Sequence, residues 1–389
     1  MSRVDLPSLA TAAQDEVARQ MQICNACRYC EGLCAVFPAM ELRRVFAGGD
    51  VDYLANLCHN CGACHYDCQY APPHAFAVNV PRAMAELREE SYARFAWPAA
   101  LAPVFARNGL WIALVSVIAV AGFILGFALW SDPGALTAAG NFYAVMPHGA
   151  MVAVFAPVFL FSILALALSV RRFWLAADGA NRVPATWRDL WRAARDAATL
   201  RYLDGGGMGC MSKSERPDRH RRAFHHMTFY GFLLCFASTA SGTLLHYLAD
   251  WPAPYPWWTP PKLLGVPGGL LLVVGAAGLI RYDLRRDPAL APDTARRTGM
   301  GAAFTWTLLA LGATGLALYA LRETPAMGVL LASHLGVVFA FFLTMPYGKF
   351  VHGLYRFAAL MRHAHEQAQA RPVEAAAPVE GRDRRRPGG

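Results

Sequence analysis

Beyond residue 108 the chain reads as long apolar stretches cut by polar ones, near 110–130, 148–170, 226–248, 264–281, 301–321 and 329–350. Each approaches the roughly 20 apolar residues that cross a bilayer core, so the pattern predicts membrane-spanning helices. The 264–281 stretch is the shortest and is rich in glycine. Before residue 108 the chain is polar and cysteine-rich, and the stretch from Met40 to Leu57 has a helical rather than a strand-like pattern. Three units are expected: a module with its linker at 1–108, a membrane part at 109–362 with a long loop at 171–222, and a disordered tail at 363–389 rich in Ala, Pro and Arg.

Composition supports the membrane reading. Hydrophobic residues make up 56% of the chain and charged ones 16%, and the mean hydropathy is +0.28. Soluble domains carry about a quarter charged residues. The net charge of +9 could suit nucleic acid, but no nucleic-acid motif is visible and the arginines cluster beside apolar stretches. Segment 171–222 carries twelve Lys or Arg and 281–298 carries five, whereas 131–147 has none, 249–263 has only Lys262 and 322–328 only Arg322. By the positive-inside rule both termini face the cytoplasm, in a cell inner membrane. Trp251, Trp257 and Trp258 suit an aromatic belt at the far interface. Met1 to Gln20 has no apolar core followed by a cleavage site, so no signal peptide is read there. Within the long loop, Trp187, Leu190, Trp191, Ala194 and Ala198 share a helical face, which fits a helix on the membrane surface or one packed on protein.

Eight of the ten cysteines fall in two runs of one spacing, Cys24-x2-Cys27-x2-Cys30-x3-Cys34 and Cys58-x2-Cys61-x2-Cys64-x3-Cys68. This is the spacing of bacterial two-cluster ferredoxins, in which the fourth cysteine of each run reaches the other cluster. By that logic Cys24, Cys27, Cys30 and Cys68 bind one [4Fe-4S] cluster, and Cys58, Cys61, Cys64 and Cys34 bind the second. Structural zinc sites use separated pairs of cysteines instead. Ala35 and Gln69 stand where a proline usually follows the fourth cysteine, which bears on loop shape. The expected fold is an all-α membrane protein, a helical ferredoxin-like two-cluster module followed by a six-helix transmembrane bundle.

Histidines are costly in a bilayer and mark function there. His334 and His352 are 18 residues apart. On one helix they would share a face about 27 Å apart. The third span carries His225 and His226 near one end and His246 near the other. An antiparallel third span would put His225 or His226 level with His352, and His246 level with His334. Each pair could hold a b-type haem by two imidazoles. On an ideal helix His225 lies about 60° from His246 and His226 about 160°. His148 is a weaker candidate. Histidines at helix ends are also common as structural residues, and His59, His65 and His74, near the cysteine runs, are expected to be surface or structural residues rather than ligands. Gly231, Ser238, Ser241 and Gly242 would let a flat macrocycle approach, or would serve close helix packing. The run Gly205 to Cys210 lacks the strand and helix of a dinucleotide fingerprint and reads as a loop, near a partner or a cofactor. Cys235 reads as a packing residue. No hydrolase triad, phosphate loop or flavin motif is visible, so the primary dehydrogenation belongs on another polypeptide.

The doubled cysteine motif, the spans and the segment Phe224-His225-His226-Met227-Thr228-Phe229-Tyr230-Gly231-Phe232 together resemble the tricarballylate/citrate utilisation protein B family, over about residues 15 to 362. They are also similar to the C-terminal half of the cobalamin-biosynthesis protein CobZ. The 18-residue histidine spacing is similar to that in the di-haem subunit of membrane nitrate reductases. The resemblance implies an electron-transfer subunit that reoxidises a partner flavoprotein dehydrogenase and passes electrons to membrane quinone, with the eight cysteines as ligands. Two other readings compete: an iron–sulfur membrane anchor without haem, and a redox sensor, for which no output module is visible.

Overall fold

The computed structural model describes residues 11–130, 134–137, 139–178, 185–211 and 216–370. Arg182, Lys213 and residues 371–389 of the expected tail lie outside the described residues. The described chain is helical, with one isolated bridge between Cys210 and Asp218.

Five helices build the N-terminal module: α1 (Ala12–Cys27), α2 (Val36–Glu41), α3 (Gly48–Leu57), α4 (Ala63–Tyr66) and α5 (Val80–Phe95). A capping box starts α1. The Thr11 hydroxyl accepts from the Gln14 amide at 3.3 Å, and the Gln14 side chain accepts from the Thr11 amide at 3.1 Å. The α1 face bearing Val17 and Met21 is buried. Asn79 caps α5, which opens with Pro81, a residue whose missing N–H does no harm in a first turn.

Six helices are long and apolar enough to cross a membrane: Ala99–Leu129, His148–Ala177, His220–Leu248, Pro260–Arg285, Met300–Leu321 and Met327–Tyr347. The third and fourth pack through small residues. A Cβ on Gly231 would lie 2.5 Å from the Leu272 amide, and one on Gly275 would lie 2.5 Å from that of Thr228. The Ser238 hydroxyl donates to the Pro261 carbonyl at 2.6 Å. These residues of the third span are therefore spent on helix packing, and Gly231 leaves no room for a macrocycle.

The expected 329–350 span does not continue to His352. It stops at Thr344, passes through a tight turn at Met345–Tyr347 and an extended Gly348, and resumes as a terminal helix, Val351–Ala370. Pro346 explains the break, since it lacks the N–H that a continuous helix would use. His334 and His352 thus lie on different helices, and the whole-turn argument relating them fails. The terminal helix also runs through 363–370, residues expected in a disordered tail. There His365 Nδ1 lies 2.9 Å from Asp189, and Glu366 pairs with Arg43 at 2.5 Å. Distant partners order these residues, which local composition does not reveal.

The module sits on this terminal helix and on the end of the second span. Tyr355 stacks on Phe173 with centroids 4.9 Å apart and meets Tyr92 edge-on. A Cβ on Gly49 would lie 2.1 Å from the Ala176 carbonyl, so only glycine allows that approach. Arg43, Asp50, Arg362 and Glu366 form one ionic network between α3 and the terminal helix. The module and the end of the last span therefore share one side of the bundle. The loop helix Trp187–Ala198 packs on the terminal helix through Asp189 and buried Ala193. Trp187 and Trp191 stay exposed on its other side.

Candidate metal centre

The cysteine runs owe their shape to helix ends. Arg28 closes α1 in the left-handed conformation and donates its amide to the Cys24 carbonyl at 2.8 Å, which turns the chain so that Cys30 comes back toward Cys24. Cys58 ends α3 in an extended conformation. The chain then reverses through Asn60 and Gly62, both at positive φ, and a Cβ on Gly62 would lie 2.9 Å from Leu290.

Two groups result. Cys24, Cys27, Cys30 and Cys68, with Cys64 at the edge, line a cavity of about 280 Å³, several times the roughly 30 Å³ of a water molecule, with Tyr29, Asp67 and Gln69 at its wall. Burial, then the thiols of Cys30, Cys68 and Cys27, pushes Cys24 up to about 12. Cys30 is likewise pushed up to about 12, by burial and then by Cys68. Cys34 lies with Cys61 and Cys58, and Cys64 with Cys61, Cys34 and Cys58, and also near Cys30 of the first group. Burial, then the Cys210 thiol, raises Cys61 to about 11. Crowded thiolates of this kind need positive charge among them, so the donor sets fit a metal cluster. Among the described residues no three His, Cys, Asp or Glu converge on a single-ion site. In the first group the thiols line a space.

The second group is enclosed by the glycine-rich run expected from its sequence to be a loop near a partner or a cofactor. A Cβ on Gly205 would lie 3.9 Å from Cys61 Sγ, and one on Gly206 3.2 Å from Leu33. The Met211 amide donates to the Cys61 carbonyl at 2.8 Å, and Cys210 is buried beside them. Gly205 to Met211 therefore forms a cover over Cys61.

From this group a short stretch of chain leads to the histidines. The Cys58 carbonyl accepts from Arg88 at 2.6 Å and from Arg356 at 2.8 Å. Arg221 donates to the Asn60 carbonyl at 2.6 Å and to that of His59 at 3.2 Å. His59 is buried, with Nδ1 2.9 Å from the Leu57 carbonyl. Just beyond, the rings of His225 and His352 meet edge-on, with planes 73° apart and centroids 6.2 Å apart. Two imidazoles bound to one metal from opposite sides, at about 2 Å each, have ring centres about 6 Å apart. His225 Nδ1 is buried without a partner. His352 Nδ1 sits 2.5 Å from the Lys349 carbonyl, which leaves its other nitrogen as the ligand atom. Burial, with Arg356 and His225 adding to it, holds His352 well below the usual imidazole range, in the neutral form that binds metal. The donor chemistry and spacing of these two imidazoles fit ligation of one iron between them. It is His225, not His226, that meets His352; His226 turns toward Tyr230.

The far end differs. His246 stacks on His148 at 3.9 Å, too close for a metal between the rings. His334 instead meets the fifth span, with Nδ1 2.9 Å from the Thr314 hydroxyl and Gly315 beneath it. The expected pairing of His246 with His334 is not formed, because His148 occupies the face of His246. That contact was unreadable without the packing of the second span on the third. The arginines around Cys58 to Asn60 did leave a trace in the sequence, since Arg221 precedes His225, and Arg356 follows His352, by one helical turn.

A helical cysteine module carried on membrane-length helices defines a multi-pass membrane protein of the iron–sulfur type. The chain belongs to the Citrate utilization protein B family. The family profile "Citrate utilization protein B" matches residues 105–373, and the profile of its Fer4-like domain matches residues 17–94. Citrate utilization protein B of Escherichia coli is 47% identical over 366 residues, covering 93% of this chain and 95% of the relative. No solved structure matches the chain.

Proposed function

We propose that the protein is a relay that takes electrons from a flavoprotein dehydrogenase and delivers them to quinone in the bilayer. Cys24, Cys27, Cys30 and Cys68 hold one [4Fe-4S] cluster, and Cys34, Cys58, Cys61 and Cys64 hold the other. His225 and His352 hold a b-type haem. The observation that carries this reading is continuity: Cys58 to Asn60 touches both the second cysteine group and the residues around the histidine pair. Bound clusters and haem supply reversible one-electron chemistry, while the chain supplies their ligands, spacing and exclusion of water. Exposed Tyr29 and the rim of the first cavity offer the entry point from a soluble partner. The distribution of Lys and Arg supports a cytoplasmic module, where such a dehydrogenase would reach it.

The test is the haem and iron content of the detergent-purified full chain. About one haem per chain is expected, lost in His352→Ala and kept in His334→Ala. Protein that holds its clusters but no haem would sink the relay and leave the anchor.

A further inference from the structure

Five cations gather where the module meets the bundle: Arg88, Arg221, Arg286, Lys349 and Arg356, all half-buried. They act on one another: Arg88 and Arg221 on Arg356, Arg221 on Arg286, and Arg88 and Arg286 on Lys349. The acidic groups that act on Lys349 are Glu89 and Asp283; Asp283 also acts on Arg286 and Arg221, and the Cys210 thiol lies 3.8 Å from Arg221. Among the described residues none of the five cations forms an ion pair within 4 Å. Arg356 Nε is buried with no hydrogen-bond partner at all. Half-buried cations gathered without an ion pair in this way favour an anion that completes the site.

Their placement identifies the anion. Arg221 lies one helical turn before His225, and Arg356 one turn after His352. The third span runs away from the module, whereas the terminal helix runs toward it. Both arginines therefore stand on the module side of the histidine pair, one above each ring. Lys349 supplies the carbonyl that orients His352. We propose that Arg221 and Arg356, with Lys349 beside them, form the binding site for the two propionate carboxylates of an iron porphyrin held by His225 and His352. Arg356 Nε is then a donor aimed at a carboxylate, and the charge-assisted bonds fix which edge of the porphyrin faces the second cysteine group. This inference rests on the haem reading above.

The experiment titrates full-length apoprotein in detergent with iron protoporphyrin IX and, separately, with its dimethyl ester, which keeps the iron but lacks the carboxylates. Soret absorbance and the low-spin bis-imidazole spectrum report binding. The wild type is expected to prefer the free acid by at least about tenfold, and Arg221→Gln/Arg356→Gln to lose that preference while keeping the low-spin spectrum. A redox titration should show the haem midpoint falling in the double variant and recovering in Arg221→Lys/Arg356→Lys. Equal affinity of the wild type for both porphyrins would overturn the carboxylate site and leave the histidine ligation standing. Binding of neither porphyrin would overturn the haem reading, and the site with it.

Discussion

The two cysteine groups have the same spacing in sequence and opposite surroundings in space. The first lines a cavity open toward Tyr29, Asp67 and Gln69, with an acidic side chain in its wall. The second lies under the cover of Gly205 to Met211, and its Cys58 carbonyl is held by Arg88 and Arg356. A motif thus specifies ligands, while neighbours recruited from 30 to 298 positions away specify access and charge. Exposure suits the first group to exchange with a soluble partner. Enclosure, beside cations and the histidine pair, suits the second to onward transfer within the protein.

The most severe way to probe that difference is to remove one ligand from each group. Cys27→Ser and Cys58→Ser should each lose about half the iron, counted chemically. Only the Cys58 variant should also disturb the haem spectrum, because Cys58 alone adjoins Arg356. Next, Glu366→Ala strips Arg43 of a partner at a site where Arg43 is 8% exposed. A loss of about 3 kcal/mol is expected in denaturant unfolding of the module. Because the network clamps α3, which ends at Cys58, the second cluster should bleach before the first. Gly206→Val is milder. Gly206 sits at φ 75°, where a branched residue costs about 2 kcal/mol. Loosening of the cover should shorten the lifetime of the second cluster in air, followed by electron paramagnetic resonance, and spare the first. Smallest is Thr11→Ala, which removes the cap of the helix that carries Cys24 and Cys27. About 1 kcal/mol should be lost, with the effect confined to the first group.

The outer parts of the design were legible in the chain. Apolar length alone placed the six spans, because bilayer thickness sets a length scale that each helix must satisfy by itself. The cysteine runs carry their meaning locally, since helix ends and tight turns bring residues three apart around one space. The break at Pro346 has a local cause, a proline in an apolar run, and it separates the two histidines whose spacing suggested one helix.

Pairing across helices was not legible. Whether His246 meets His148 or His334 depends on which spans neighbour one another, and that is set by packing between segments distant in sequence. The helical state of 363–370 depends on Arg43 and Asp189, both remote in sequence. By itself the sequence determined the spans and the candidate metal donors, which are set by bilayer thickness and short-range spacing. Only the tertiary structure decided which histidines face each other, which cysteine group is enclosed and where the buried cations gather, because those are contacts between segments that no local rule relates.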